Sequence, residues 1–443
     1  MRHRVQWVAS VAQLLIVLDV SVVNVALPSI QADLDLTDLA VSWVALVYTL
    51  GFAGVLLVGA RLGDVLGPIR ALRWGIAGFT LASLAAGLTA DPLLLIAARA
   101  AQGLSAAIAS PATFALLTVT FPEGRERVRA IAWWTAASLA GGGIGNVLSG
   151  VLTQWLTWRA VFLIAIPIGA LVLLGTRRLR PPEPSGRTRI SVIGAVLVTA
   201  GFTLATYVLS TIGDLNRDWW GALVAAVVVI GAAIAHQIRA AEPLLPPSLW
   251  RNPTIVIGNA ATFIAGMSFQ VAIWYFLTFL LQHGLGLAPA MTGLAFLPLT
   301  VTLLAVNTWI TPRLIARHTL RSIAVTGALI ASTGLLLQAV IPTEQPYLVV
   351  LAPALIIGLG AGLFNTPLAT LVTTGIGPAE AGAASGMMNT AKQFGGAVGL
   401  AIITTSITAP TDRTAFTVMA ALTLTTAILI AAVPSQRPKH EQP

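Results

Sequence analysis

Three charged side chains stand well inside long apolar stretches of this sequence: Asp19, Arg99 and Lys392. Asp19 lies in Leu18-Asp19-Val20-Ser21-Val22-Val23-Asn24-Val25-Ala26-Leu27-Pro28 and is the only acid well inside such a stretch. A carboxyl group is expensive to keep in hydrocarbon, and those that persist there mark proton relays and ion paths. The chemistry expected of Asp19 is uptake and release of a proton, with an occupancy that changes as its surroundings are sealed or opened. Ser21 and Asn24 share the stretch, and hydrogen-bonded glue between helices is the simpler account of both. Asn24 is kept as a solute contact.

Arg99 opens Arg99-Ala100-Ala101-Gln102-Gly103. Read as a helix, it brings Gln102 and Gly103 to Arg99's face, at i+3 and i+4. Counted from the outer ends of their spans, Arg99 and Asp19 differ in depth by about one helical turn. They can therefore meet if their helices are neighbours. A pair that only locks two helices together is the alternative to one that tunes a proton site.

Gly141, Gly145 and Ser149 form a small-residue stripe at i+4 spacing, which lets helix backbones approach closely. Asn146 interrupts the same stretch, and a gating role follows only if the stripe's contact re-forms during transport. Asp64, Gly67 and Arg70 fall in a turn around Gly67-Pro68. Lys392 sits about ten residues inside its span, so it either reaches the surface along its stem or lines a pathway. Tyr48, Gln270, Trp274, Tyr275, Asn307, Phe364 and Asn365 are the polar or aromatic residues of apolar spans able to touch a solute. There is no phosphate-cradling Gly-rich loop with a lysine, no metal-ligand cluster and no nucleophile elbow. The chain is expected to be neither an ATP-driven machine nor an enzyme, and to carry no metal or cofactor.

The elements that position these groups follow from composition. Of 443 residues, 56% are hydrophobic and 9% charged, and the mean hydropathy is +0.87. That excludes a soluble enzyme and describes a multi-span membrane protein. The net charge of +9 does not point to nucleic acid, because the basic residues alternate with the spans instead of forming one patch. There is no cysteine, which removes disulfides and thiolate metal sites. The basic start Met1-Arg2-His3-Arg4 resembles a signal-peptide n-region. The apolar stretch behind it is too long and lacks a small-residue cleavage site, so a retained first helix is expected.

Fourteen spans are expected, at roughly 6–29, 40–60, 71–90, 92–119, 130–152, 159–176, 191–212, 219–237, 254–281, 290–311, 321–341, 346–374, 382–407 and 414–433. They must be helices, because in lipid the backbone satisfies its own hydrogen bonds. Alternate connections hold nearly all the arginines, including Arg61, Arg70, Arg73, Arg125, Arg127, Arg129, Arg313 and Arg317. The opposite ones carry Arg159, Arg217 and Arg413 together with acids such as Asp33, Asp35, Asp38 and Asp91. The positive-inside rule then places both termini in the cytoplasm. Trp155, Trp158, Trp219 and Trp220 are expected at the outer ends as an aromatic belt. The stretch from Arg177 to Arg189 reads as a linker. A faint repeat pairs Pro111 and Pro122 with Pro367 and Pro378, both offset by 256 residues; it suits two similar halves with the seventh and eighth spans inserted between them.

Taken together, these stretches resemble the major facilitator superfamily and, within it, the fourteen-helix drug:proton antiporter family. Leu18 to Pro28 looks like that family's first-span motif, with Ser21 where threonine is usual. Ala60…Asp64…Gly67…Arg70 is similar to the superfamily's cytoplasmic gate motif, with Ala60 and Val65 departing from a usual glycine and a basic residue. Arg99 to Gly103 resembles the fourth-helix motif, whose arginine is linked to proton coupling. Trp158-Arg159-x-x-Phe162…Pro167-Ile168-Gly169 and Gly386…Asn389-Thr390-x-Lys392-Gln393-x-Gly395-Gly396 also fit, with Lys392 for a usual arginine. In the fifth-helix motif of exporters Gly141 and Gly145 stand, while Asn146 replaces a proline and Ser149 a glycine.

The resemblance implies an all-α integral membrane protein of the major facilitator fold, with two six-helix bundles plus two extra central helices. Residues 1–180 would form the N-terminal bundle, 181–250 the inserted pair with its linkers, and 251–443 the C-terminal bundle. It implies a proton-coupled exporter of amphipathic small molecules, drug or antibiotic in type, in a bacterial cytoplasmic membrane. Its partners would be the substrate, protons and membrane lipids, with no nucleic acid, and it would work as a monomer. A lipid or metabolite carrier of the same fold, and a transport-inactive scaffold or sensor, are the alternatives.

Overall fold

A computed structural model describes residues 2–121, 125–177, 179, 192–212, 217–240, 247–341, 347–373, 381–405 and 413–433. These residues are overwhelmingly helical and include no strand. In chain order the helices are α1 (Arg2–Asp33), α2 (Asp38–Leu66), α3 (Pro68–Leu88), α4 (Pro92–Thr120), α5 (Arg125–Trp155), α6 (Ala160–Leu163) and α7 (Ala165–Thr176). Then come α8 (Val192–Ser210), α9 (Arg217–Arg239), α10 (Pro247–Arg251), α11 (Pro253–Phe269), α12 (Ala272–Phe279), α13 (Pro289–Ala295), α14 (Leu297–Ala305) and α15 (Thr311–Ile315). The last are α16 (Leu320–Val340), α17 (Tyr347–Thr373), α18 (Ala381–Thr405) and α19 (Arg413–Ala432).

Each of the fourteen expected spans coincides with a helix or with a broken run of helices. Among the described residues, eleven helices are long and apolar enough to cross a membrane; 160–176 and 196–210 are shorter apolar stretches. The remaining span, α18, has 25 residues and the polar run Asn389, Thr390, Lys392 and Gln393. The linker expected near 181–189, together with Pro122 and Pro378 of the repeat, lies outside the described residues. The side chains of Ala60, Arg61 and Asp64 do too.

Local signals set the helix ends. Asp91 accepts from the backbone N–H of Leu93 and Leu94 at 2.7 and 3.0 Å, and Thr37, Asn252 and Thr319 cap α2, α11 and α16. Pro68, Pro92, Pro253 and Pro289 occupy first-turn positions, where their missing N–H costs nothing. Gly67 alone separates α2 from α3, at a φ of 82° open to glycine. Two expected spans are less regular than periodicity foresees. The ninth breaks between α11 and α12 and ends in a π-helical turn, Leu280–Gly284. The tenth breaks at Phe296 and passes through another, Val306–Ile310. Such turns interrupt the regular ladder and recur at functional places.

Packing is densest within two groups, α1–α7 and α11–α19, which meet chiefly where α13 lies on α5 and α18 on α2. The end of the molecule that carries the start of α1 and the finish of α19 is the near end. At the opposite, far end one apolar core runs across both groups, from Val22, Leu27 and Ile30 through Phe276, Phe279 and Leu299 to Phe394, Leu400 and Met419. At the near end each group has its own core, around Leu15, Leu72 and Leu116 in one and Ala328, Phe364 and Leu368 in the other. Hydrogen bonds also cross at the far end: Gln282 Nε2 donates to the Val25 carbonyl at 2.8 Å, and the Ala290 N–H to Gln154 Oε1 at 3.0 Å. The inserted helix α8 lies against α2 and α18, with α9 on α8. Thr199 fills the space beside Gly54, and Phe202 stacks on Phe394 at 3.8 Å between centroids.

The aromatic belt is a partial correction. Trp155 and Trp220 are exposed, as a belt requires, but Trp158 and Trp219 are buried. Trp158 Nε1 donates to Asp33 at 2.9 Å and Trp219 Nε1 to the Val208 carbonyl at 2.9 Å. A buried indole seeks an acceptor for its N–H, and at both places the protein supplies it.

Candidate functional site

Asp19 and Arg99 meet. Arg99 Nη1 donates to Asp19 Oδ2 at 2.6 Å, and both side chains are almost fully shielded, 1% and 2% exposed. The same nitrogen donates to Gln102 Oε1 at 2.7 Å, and Arg99 Nε to the Val44 carbonyl at 3.2 Å. Gln102 Nε2 donates to Asp19 Oδ1 at 3.0 Å and to Ser83 Oγ at 2.7 Å. Ser83 in turn donates to the Phe79 carbonyl at 2.8 Å. Four helices thus contribute: α1 the acid, α2 a backbone carbonyl and Tyr48, α3 Ser83, and α4 both Arg99 and Gln102. Tyr48 and Phe162 close the guanidinium from two sides, their rings 4.5 and 5.8 Å from Cζ.

Close packing lets this happen. The Tyr48 carbonyl sits directly over Gly103, so α2 and α4 touch backbone to backbone beside Arg99. On the other side of α1 the expected stripe makes the expected contact. A methyl group on Gly141 would fall 2.8 Å from the Leu14 carbonyl, and one on Gly145 2.6 Å from Ser21 Cβ. Ser149 donates its hydroxyl to the Val22 carbonyl. The serine therefore adds an interhelical hydrogen bond where the family motif has a glycine. Asn146 is buried and its Oδ1 has no partner among the described residues. Its backbone carbonyl lies against Gly293, and Gly150 lies against Pro289, so α5 also joins the second helix group.

Both oxygens of Asp19 accept hydrogen bonds, Oδ2 from Arg99 and Oδ1 from Gln102. Arg99 stands as the counter-charge of Asp19, and the Tyr48 hydroxyl beside them has no partner among the described residues. A sealed ion pair of this kind is not by itself a source of stability, because desolvation offsets the attraction. What the arrangement can do chemically is change, as the cluster opens or closes, the two influences that set a carboxyl group's proton occupancy: its burial and the nearby positive charge.

The other expected contacts are spread through the molecule. Tyr275 is buried among Phe276 and Phe279, its hydroxyl without a partner among the described residues. Trp274, half-buried, packs on Phe296, and Phe364 lies edge-on to Phe269. Asn307 stands in the second π-helical turn and accepts from Thr366 at 2.6 Å. Gln270 lies at the break between α11 and α12, against Gly396. Asn24 is buried, Asn365 and Lys392 are half-buried, and Arg70 is exposed beside the Gly67 turn. Of the expected solute contacts, Tyr48 and Gln102 belong to the Asp19 cluster. Sequence reading missed Ser83, Phe162 and the Val44 carbonyl. It also missed the tie of Arg159 to Asp33 at 2.8 Å, which fastens the start of α6 to the end of α1.

Comparison with known proteins agrees with this fold. Residues 9–400 match the model of the Major Facilitator Superfamily. A cephamycin export protein of Amycolatopsis lactamdurans is 44% identical over 408 residues, covering 90% of this chain and 83% of the relative. A puromycin resistance protein of Streptomyces alboniger is 38% identical over 418 residues, 90% and 80% of the two chains. Among solved structures, the peptide transporter PepTSo superposes with a TM-score of 0.73 at 14% identity, over 98% of each chain. A D-xylose–proton symporter gives 0.71, also at 14%, over 97% of each. At that identity the two structures speak for the fold alone. A chain of membrane-length helices in two groups, with this first-helix acid paired to this fourth-helix arginine and a family match over most of its length, is a member of the Major Facilitator Superfamily and a multi-pass membrane transporter.

Proposed function

We propose that this chain exports amphipathic small molecules of the drug or antibiotic type across a bacterial cytoplasmic membrane, driven by protons taken up at Asp19. The observation that carries the reading is the sealed cluster of Asp19, Arg99 and Gln102 between α1 and α4. It is a single buried acid with a built counter-charge, held by a helix that also bears on the moving interface through α5. The similar proteins, a cephamycin export protein and a puromycin resistance protein, support the direction and the kind of cargo.

In this reading the termini are cytoplasmic, so the near end faces the cytoplasm and the structure is the state closed on the outside. Residues 1–180 and 251–443 are the two bundles that rock, 181–250 carry the inserted pair, and one chain in its lipid surroundings is the working unit. The turn at Asp64, Gly67 and Arg70 gates the near end. Gly141, Gly145 and Asn146 of α5 gate the far end. Opening the far end exposes Asp19 to a proton, which frees Arg99 from its partner. Return to the near-open state re-forms the pair and sends the proton inward. Substrate must favour one protonation state of Asp19, or the gradient cannot move it. Gln270, Asn365 and Lys392 are half-buried in the second group and meet the substrate first. Asn24, Tyr48, Gln102, Trp274, Tyr275, Asn307 and Phe364 do so as the cavity rearranges.

The test is an efflux screen in a bacterial strain deleted for its own pumps, followed by proton measurements in everted vesicles. Added substrate should dissipate part of an imposed pH gradient only in vesicles that contain the protein. Efflux without any substrate-dependent proton movement would overturn the coupling, and absence of efflux for every compound screened would overturn the export reading.

A further inference from the structure

Two glutamines tie the helix groups together at the far end, and they do so with opposite polarity. Gln154, in the last turn of α5, accepts at Oε1 from the backbone N–H of Ala290 at 3.0 Å. Gln282, in the π-helical turn that follows α12, donates from Nε2 to the Val25 carbonyl of α1 at 2.8 Å. Each group thus reaches across with one carboxamide and holds a backbone group of the other. The partners fix the sense of both bonds: a backbone N–H is met only by the amide oxygen, and a carbonyl only by the amide nitrogen.

Local structure explains why these two backbone groups are free to be held. The first N–H groups of a helix have no partner within it. Helix α13 starts at Pro289 after Ala288, which makes no side-chain cap, so the Ala290 N–H takes its acceptor from α5 instead. Asn146, Gly150 and Gln154 recur at i, i+4 and i+8 and share one face of α5. On that face the Asn146 carbonyl lies against Gly293, and Gly150 lies against Pro289. The two backbones touch there, which brings Gln154 level with the start of α13. The Val25 carbonyl has two lone pairs, so it can take Gln282 beside its bond within α1.

The ion pairs between described residues, Arg2–Glu126, Asp19–Arg99 and Arg159–Asp33, all lie within α1–α7. At the far end the groups meet through the shared apolar core and these neutral bonds. Apolar burial is non-directional, whereas the two hydrogen bonds exist only while the groups stand in this arrangement.

We infer that Gln154 and Gln282 are positioning residues of the transport cycle, a pair of opposite polarity that latches the far end shut and lets go each time it opens. The inference rests on the reading above in which the two groups rock apart at that end. Gln154 is exposed and Gln282 half-buried, so water replaces the lost partner on opening. Each bond then favours the closed state by about fivefold. Neither side chain titrates, so the latch holds equally at any external pH and leaves proton sensing to Asp19.

The chain has no cysteine, so one pair of spin labels can read the far end. Leu93→Cys near the start of α4 and Leu348→Cys near the start of α17 are exposed positions there, one in each group. Double electron–electron resonance on the labelled full chain in lipid at pH 8 gives the ratio of long to short distances. Gln154→Ala and Gln282→Ala should each raise that ratio about fivefold, and the double variant by the product of the two. Polarity separates a latch from packing. Gln154→Glu keeps an acceptor and should stay as closed as wild type, whereas Gln282→Glu loses its donor and should open at least as far as Gln282→Ala. Lysine should do the reverse, with Gln282→Lys closed and Gln154→Lys open. The wild-type short distance, still sampled by each variant, shows that it is folded. Equal effects of glutamate at the two positions, or alanine variants with the wild-type ratio, overturn the latch while a long distance in any sample keeps the rocking reading. One unchanged distance in wild type and every variant overturns both.

Discussion

Arg99 Nη1 approaches Asp19 Oδ2 to 2.6 Å across the contact between α1 and α4, and the same nitrogen reaches Gln102 Oε1 at 2.7 Å. One guanidinium nitrogen thus holds the acid and the amide that flanks it. The acid cannot be opened to water without also disturbing Ser83 on α3 and the Val44 carbonyl on α2. In the proposed reading, protonation of Asp19 therefore acts on the packing of four helices at once.

Removing one partner should be worse than removing both. Arg99→Gln leaves a buried carboxylate without its counter-charge, at a cost of about 3–5 kcal/mol. Combining it with Asp19→Asn removes the unpaired charge as well. Thermal unfolding in detergent should show the double variant more stable than Arg99→Gln alone. Additive losses would mean that the two side chains do not interact energetically.

The small-residue stripe gives a contrast within one turn of helix. A methyl group at Gly145 would meet Ser21 Cβ at 2.6 Å, but one at Gly142 finds its nearest neighbour, Val17 Cγ1, at 3.8 Å. Gly145→Leu should cost about 1–3 kcal/mol by overpacking and abolish efflux with insertion intact. Gly142→Ala should keep both stability and efflux. Efflux assays with surface-independent quantification of protein decide it, and a fully active Gly145→Leu would show that α1 and α5 do not need this approach.

The site was more legible in the sequence than its surroundings. Asp19 and Arg99 stand out because charge inside an apolar run is expensive, and Gln102 follows from i+3 spacing. The stripe of Gly141, Gly145 and Ser149 predicts a close helix contact for the same reason. Ser83 and Phe162 gave no signal, because their part in the cluster depends on contacts 19 and 63 residues away in sequence that no local pattern encodes. The breaks at Gln270 and Phe296 and the two π-helical turns were illegible for another reason. Where nearly every residue is apolar, periodicity fixes the presence of a span but not its interior geometry. Trp158 and Trp219 misled because an indole at a span end serves a belt or a buried acceptor equally well, and here Asp33 and the Val208 carbonyl take them.

Orientation is testable without any substrate. The alternation of arginine-bearing connections predicts that both termini are cytoplasmic. Reporter fusions at each end, one active only in the cytoplasm and one only outside it, should both read cytoplasmic. A terminus that reads external would contradict both the fourteen-span count and the assignment of the near end to the cytoplasm.

The measurement that bears most directly on the account is substrate-dependent proton movement in proteoliposomes, wild type against Asp19→Asn at equal protein. The substitution keeps the size of the side chain and its place beside Arg99 and Gln102, but it cannot gain or lose a proton. Wild type should concentrate substrate at the expense of an imposed pH gradient. Asp19→Asn should remain folded and bind substrate, and should let substrate only equilibrate, with no proton movement above the protein-free level. A variant that still concentrates substrate at the wild-type rate would show that Asp19 is not where the proton is carried.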